Sequence, residues 1–173
     1  MSIISQAVEQ AAKNERLHLG AGNRIKKGWV NHDLKKHRPE IDVAWDLNVL
    51  PWPWEDETAD QICSMTVFEH LDIDLVAALD ECWRILRPGG ILYVKLPNAY
   101  DAEQWADPTH RRVFTLNTFK FFDITKQRKT TDFYTDRLWY ILDEGFTGWT
   151  NKITGIRSSV FAELQKPERT DSE

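Results

Sequence analysis

The sequence has only two cysteines, no long apolar run and no excess of positive charge. Cys63 and Cys82 both fall inside apolar segments, which excludes a disulfide framework as the source of stability. No hydrophobic stretch approaches the roughly 20 residues a membrane-spanning helix requires. The N-terminus lacks the pattern of a secretory signal. A net charge of −5 argues against a general surface for nucleic acid or anionic lipid. Together these absences lead to the expectation of a cytoplasmic protein with no membrane partner and no nucleic-acid partner. Basic residues do gather at Arg24 to Lys27, Lys35 to Arg38 and Lys126 to Lys129, runs that read as solvated faces. No internal repeat or linker divides the chain. Residues 1–166 are expected to form one domain and residues 167–173 a disordered polar tail.

What is present is an ordinary globular balance, 42% hydrophobic and 28% charged, in a chain of 173 residues that can bury a proper core. The eight tryptophans are many for this length; they read mainly as core residues, with some expected around a pocket. Residues 3–14 show the periodicity of an amphipathic helix. Short apolar strands are expected at 17–19, 29–34, 41–46, 61–67 and 91–96, and shorter or less regular ones at 138–142 and 159–164. Val76, Leu79, Trp83 and Leu86 recur at helical spacing over 72–86, with Asp72 and Asp74 at the start, Arg84 and Arg87 at the end, and Pro88-Gly89-Gly90 beyond it. Thr115 to Phe122 reads as a short capped helix, and Pro51-Trp52-Pro53-Trp54 as a loop. Strand alternating with helix implies an α/β fold with a mostly parallel sheet.

The stretch Leu17-His18-Leu19-Gly20-Ala21-Gly22-Asn23 runs from a strand into a small-residue turn. Glycines there let a ligand lie against bare backbone, and the carboxyl end of a first strand is where open α/β sheets bind nucleotide-like ligands. A dinucleotide fingerprint would need a third glycine where Ile25 stands. It would also need a helix N-terminus for the pyrophosphate. Residues 20–28 leave room for about one helical turn before the next strand. The turn therefore fits a nucleoside ligand without pyrophosphate better than NAD.

Three further motifs accompany the turn: Gly28-Trp29-Val30-Asn31-His32-Asp33-Leu34, Glu69-His70-Leu71 and Asp107-Pro108-Thr109-His110-Arg111-Arg112. With Leu86-Arg87-Pro88-Gly89-Gly90, this series resembles the class I S-adenosylmethionine-dependent methyltransferases, and most closely a small branch of the methyltransferase type 11 group. The resemblance implies a single Rossmann-like methyltransferase domain with an antiparallel C-terminal strand and a trimmed first helix. It implies S-adenosyl-L-methionine as cofactor, held by Leu19, Gly20, Ala21, Gly22, Asn23, Asp33, Leu34, Asp46, Leu47 and Thr66. Asp33 would accept hydrogen bonds from the ribose hydroxyls and Asp46 from the adenine amino group, while Leu47 and Leu50 would cover the adenine. Each aspartate could instead simply cap its turn. His18 stands where the family usually has an acid, either holding the glycine loop or satisfied within the core.

The acceptor is expected at the ends of the fourth and fifth strands. No Asn/Asp-Pro-Pro-aromatic run follows the fourth strand, which argues against methylation of an exocyclic base amino group. His70 and His110 are the catalytic candidates, since histidine titrates near neutral pH; His70 could equally be a helix-entry residue. Glu69, Asp107, Arg111 and Arg112 are the substrate-binding candidates, the arginines suiting an anionic group. His70, Asp107 and His110 lack close ligand spacing, and no metal is expected. The reading is a methyltransferase acting on an oxygen or nitrogen of a small, sugar-like or anionic acceptor. The alternatives are a non-catalytic cofactor-binding partner subunit and an RNA or protein methyltransferase.

Overall fold

A computed structural model describes residues 16–126 and 134–169. The helix expected at 3–14 lies outside the described residues, as does most of the Lys126 to Lys129 run. Seven strands form one sheet: β1 (Arg16–Leu19), β2 (Val30–Asp33), β3 (Val43–Ala44), β4 (Ala59–Met65), β5 (Leu86–Pro97), β6 (Tyr140–Thr150) and β7 (Arg157–Gln165). Their order is β3-β2-β1-β4-β5-β7-β6. The β3, β2, β1, β4 and β5 pairings are parallel, and β7 is antiparallel to both neighbours. The expected mostly parallel sheet with an antiparallel C-terminal strand is therefore the architecture. The trimming of the first helix is complete, since residues 20–29 hold turns and no helix.

The principal helix, α1 (Leu75–Ile85), begins where Asp74 caps it by accepting from the Ala77 N–H at 2.7 Å. Its buried stripe of Ala78, Leu79, Cys82 and Ile85 joins Leu92, Val94 and Leu96 of β5 in one core. Trp52, Trp54 and Trp139 are buried in that core, while Trp105 and Trp149 are exposed. Arg84 does more than favour a helix end. Its guanidinium bonds Glu81, Asp56 and the carbonyls of Trp52 and Trp54, clamping the Pro51–Asp56 loop on α1. Burial of Glu81 and Arg84 makes these charge-assisted bonds matter more than an exposed pair would.

Three boundaries differ from the sequence reading. α1 passes directly into β5 at Leu86, so Arg87-Pro88-Gly89-Gly90 belongs to the strand. The reason is distant: the Gly89 N–H donates to the Lys166 carbonyl at 3.0 Å, and the Lys166 N–H donates to the Gly90 carbonyl at 2.9 Å. The strand expected at 138–142 runs on through Thr150, paired to β7. The stretch at 41–46 pairs only over Val43–Ala44. Leu116–Phe121 is a 3-10 helix whose entry is closed by the Thr115 N–H donating to the Thr118 hydroxyl at 3.0 Å. A short helix, α2 (Ala102–Ala106), leads into the Asp107–Arg112 loop. Residues 167–169 are described, and Arg169 pairs with Glu57 at 2.5 Å; residues 170–173 lie outside. Among the described residues no helix is long and apolar enough to cross a membrane.

Candidate active site

The carboxyl ends of β1, β2, β3 and β4 meet at a cavity of about 340 Å³ lined by Gly20, His32, Asp33, Leu34, Trp45, Asp46, Leu47, Asn48, Thr66, Val67, His70 and Leu71. That is the lower end of small-molecule site sizes. Gly20 has φ +61°, and a Cβ there would stand 2.3 Å from Val67 Cγ2. Only glycine lets the turn pass this close to the β4 exit. Thr66 also takes a left-handed conformation, φ +57°, with its N–H donating to the Lys95 carbonyl at 2.8 Å.

Asp33 Oδ2 accepts from the Gly22 N–H at 2.6 Å and Oδ1 from the Leu34 N–H at 2.7 Å. The carboxylate thus fixes the glycine turn, and each oxygen retains acceptor capacity toward the cavity. Asp46 Oδ1 accepts from the Asn48 N–H at 2.9 Å. Leu19 and Ala21 are buried beneath the turn, whereas Asn23 and Leu50 are exposed and outside the cavity lining.

His32 is a site residue the sequence reading missed. It is buried and lines the cavity. Its Nε2–H donates to the Trp45 carbonyl at 2.9 Å, while Nδ1 accepts a long bond from the Gly20 N–H at 3.4 Å. Burial lowers its pKa to about 4, so the ring is neutral and joins the first and third strand ends. The signal was its position two after Val30 on β2, on the same inward face. His18 is also buried and bonds Asn31 Oδ1 at 3.2 Å, and burial lowers its pKa. It stands at the position where the resemblance implies an acid.

His70 extends the cavity toward a second group. Glu69 is fully buried, and neither carboxyl oxygen has a hydrogen-bond partner. Burial, above all, pushes its pKa up to about 8. His70 Nε2 lies 4.0 Å from Glu69 Oε1, and the His70 and His110 rings meet edge to face with centroids 4.9 Å apart. His70 Nδ1 bonds Thr109 Oγ1 at 2.9 Å, and that hydroxyl donates to Asp107 Oδ1 at 2.6 Å. With its proton given to Asp107, Thr109 must accept from His70 Nδ1–H. His110 Nδ1 bonds the Gln104 carbonyl at 2.8 Å and must donate there. In the neutral form of each ring, Nε2 is then the nitrogen that carries the lone pair. Burial and the neighbouring His110 lower the His70 pKa, more than Asp107 and Thr109 raise it.

The structure thus gathers Glu69, His70, Asp107 and His110, and directs the two arginines elsewhere. Arg111 Nε pairs with Asp72 at 3.0 Å, and its backbone N–H donates to the Glu69 carbonyl at 2.7 Å. Arg112 donates to the carbonyls of Leu71 and Ile73, pinning the loop to the entry of α1.

This sheet order and the glycine turn at the first strand's carboxyl end define a class I methyltransferase fold. Residues 26–94 match the family described as Methyltransferase domain. A protein of Mycolicibacterium smegmatis named as a probable S-adenosylmethionine-dependent methyltransferase is 37% identical over 65 residues, 38% of this chain and 24% of the relative. The chain therefore spans about a quarter of the length of that curated relative. The fold is also that of a SAM-dependent methyltransferase from Archaeoglobus fulgidus, with TM-score 0.57, 15% identity, and coverage of 94% of this chain and 91% of that one. A second, from Mesorhizobium loti, gives TM-score 0.55, 13% identity, and coverage of 88% and 90%. The chain thus shares the fold of S-adenosylmethionine-dependent methyltransferases, and residues 26–94 match the methyltransferase domain family.

Proposed function

We propose that this chain transfers a methyl group from S-adenosyl-L-methionine to an oxygen or nitrogen of a small acceptor. The observation that carries the reading is that one cavity joins the glycine turn and Asp33 to His70. A nucleoside cofactor would lie over Gly20, with Asp33 accepting from its ribose hydroxyls, Asp46 and Leu34 beside its base, and Trp45 and Leu47 against its apolar faces. Leu19, Ala21, Gly22, Asn23 and Thr66 would shape that bed. The cofactor supplies the electrophilic methyl group, and the protein supplies position and proton handling. A hydroxyl or protonated amine acceptor must lose a proton, and a neutral His70 with its Nε2 lone pair is suited to take it. His110 and Glu69 stand next to that lone pair. Asp107, through Thr109, fixes the His70 tautomer. Arg111 and Arg112 act by holding the loop closed over the site, with the exposed Arg111 also available to an anionic acceptor.

A second reading, a cofactor-binding partner subunit without turnover, draws on His18. A neutral imidazole bonded to Asn31 offers no negative charge to the cofactor's ammonium. Calorimetry with S-adenosylmethionine and with NAD, followed by assay of the demethylated product in the presence of hydroxyl and amine acceptors, tests both readings. Binding with turnover supports methyl transfer. Binding without turnover across acceptors favours the partner subunit. Saturable NAD binding with no response to the sulfonium compound overturns both.

A further inference from the structure

One ligand-capable atom from each of Glu69, His70 and His110 lies within 4.8 Å of the other two. These residues come from the turn after β4 and from the loop after α2, so only the fold brings them together. Three features of the cluster are hard to account for without a ligand. First, Glu69 is fully buried with both oxygens unpartnered, and an unmade bond on a buried carboxyl group is costly in either protonation state. Second, both imidazoles are oriented from behind: His70 through Thr109 and Asp107, His110 through the Gln104 carbonyl. Histidines that ligate metals have their other ring nitrogen fixed by a carboxylate or carbonyl in this way. Third, with both rings neutral, the groups turned inward are two imidazole nitrogens and a carboxyl, each able to ligate a metal ion. Asp107 Oδ2, 3.7 Å from His110 Nε2, adds further negative charge.

We propose that Glu69, His70 and His110 bind a divalent first-row transition-metal ion whose remaining coordination positions face the cofactor cavity. Mixed imidazole and carboxylate donors suit zinc, cobalt, iron or manganese, whereas the hard magnesium and calcium ions prefer oxygen alone. At bond lengths of about 2.0–2.1 Å, tetrahedral donors stand about 3.4 Å apart, so binding draws the cluster inward by about an ångström. His70, the most exposed of the three, can supply that movement. Three protein ligands leave coordination positions for a small oxygen ligand, the arrangement of a reactive metal centre rather than a closed structural one. His70 lines the cofactor cavity, so those positions open toward it. There the ion would hold an acceptor hydroxyl and lower its pKa, doing for an oxygen acceptor what a free base otherwise must. That role rests on the methyl-transfer reading; binding of the ion does not.

The test uses the full, tag-free chain after treatment with a chelator, without cofactor or acceptor. Cobalt(II) is titrated and followed by its visible absorption, with zinc and manganese compared by calorimetry. The expected result is one ion per chain and a cobalt spectrum of mixed nitrogen and oxygen ligation. Glu69→Gln, which keeps the side chain's shape, and His110→Ala should each abolish that binding. Thr109→Val should weaken it about 10- to 100-fold by releasing the His70 ring, while His37→Ala, at an exposed histidine outside the cavity lining, leaves it unchanged. Circular dichroism and S-adenosylmethionine affinity, measured on the same variants, separate a lost ion site from a lost fold. Absence of stoichiometric binding by wild type for all three metals overturns the proposal. So does binding that survives both Glu69→Gln and His110→Ala. Neither outcome bears on whether the chain binds its cofactor.

Discussion

Acidification should weaken the fold through His32, by an amount that follows from its surroundings. The ring's pKa is about 4 in the folded protein, because burial disfavours its charged form; in the unfolded chain it returns to about 6.5. As pH falls below 6.5 the unfolded chain takes up the proton first, so stability is full above 6.5 and is lost between 6.5 and 4. The whole difference corresponds to about 3 kcal/mol, of which about 2 kcal/mol is lost between pH 7.5 and pH 5. His32→Gln offers the control. Its amide can still donate toward the Trp45 carbonyl but cannot titrate, while His18, Glu69 and His70 titrate in both proteins. Urea denaturation at several pH values should show the wild type losing about 2 kcal/mol more than the variant over this range, a midpoint difference of about 1 M. Parallel curves for the two proteins would refute the assignment of a buried, neutral His32 between the Gly20 and Trp45 backbones.

Other expectations follow from the same geometry. Asp33→Ala should weaken S-adenosylmethionine binding roughly ten- to a hundredfold, since bonds to a charged acceptor contribute about 1.5–3 kcal/mol each; calorimetry showing unchanged affinity would leave Asp33 as a turn residue only. Gly20→Ala should destabilise by more than the about 1–2 kcal/mol that a left-handed residue costs, because its Cβ meets Val67. Adding Val67→Ala should recover part of that loss in thermal unfolding. Arg84→Met should cost about 3–5 kcal/mol by leaving the buried Glu81 charge with only the Trp52 N–H against it, while Arg111→Ala should change stability by about 0–1 kcal/mol, as exposed pairs do.

Much of the fold was legible because the parallel strands announce themselves locally: short apolar runs, a helix with an aspartate cap, a glycine turn. What was not legible depends on distant partners. Pro88, Gly89 and Gly90 look like a break, yet Lys166 pairs with them and makes them strand. Gly145 and Gly148 argue against a strand running through them, but β7 supplies the ladder, and the Phe161 ring lies where a Cβ of Gly145 would be. Part of the cavity lining was readable from Gly20, Asp33 and Asp46 because each stands at the carboxyl end of its own strand. The Glu69, His70 and His110 cluster was only half readable. Its members were named, but their convergence depends on Arg112 reaching two carbonyls before α1 and on the Arg111 N–H reaching Glu69. His32 passed as part of a motif because nothing in the sequence shows that its ring bridges two loops.

The placement of β7 has a consequence for how the molecule is made. It lies between β5 and β6, although it follows both in the sequence. During synthesis from the N-terminus, β1 to β5 can assemble as they emerge, but one edge of β5 stays open until residues 157–165 are free of the ribosome. From Ile91 to Pro97 that edge is paired only to β7 on this side, and Leu92, Val94 and Leu96 within it are buried core residues. A chain stalled or cut before Arg157 would expose an unpaired strand from the middle of the sheet, the kind of template that invites aggregation. Lys166, bonded to the Leu86 carbonyl at 2.8 Å and seated over the Trp83 ring, then fastens the finished sheet to the helix on which it was begun.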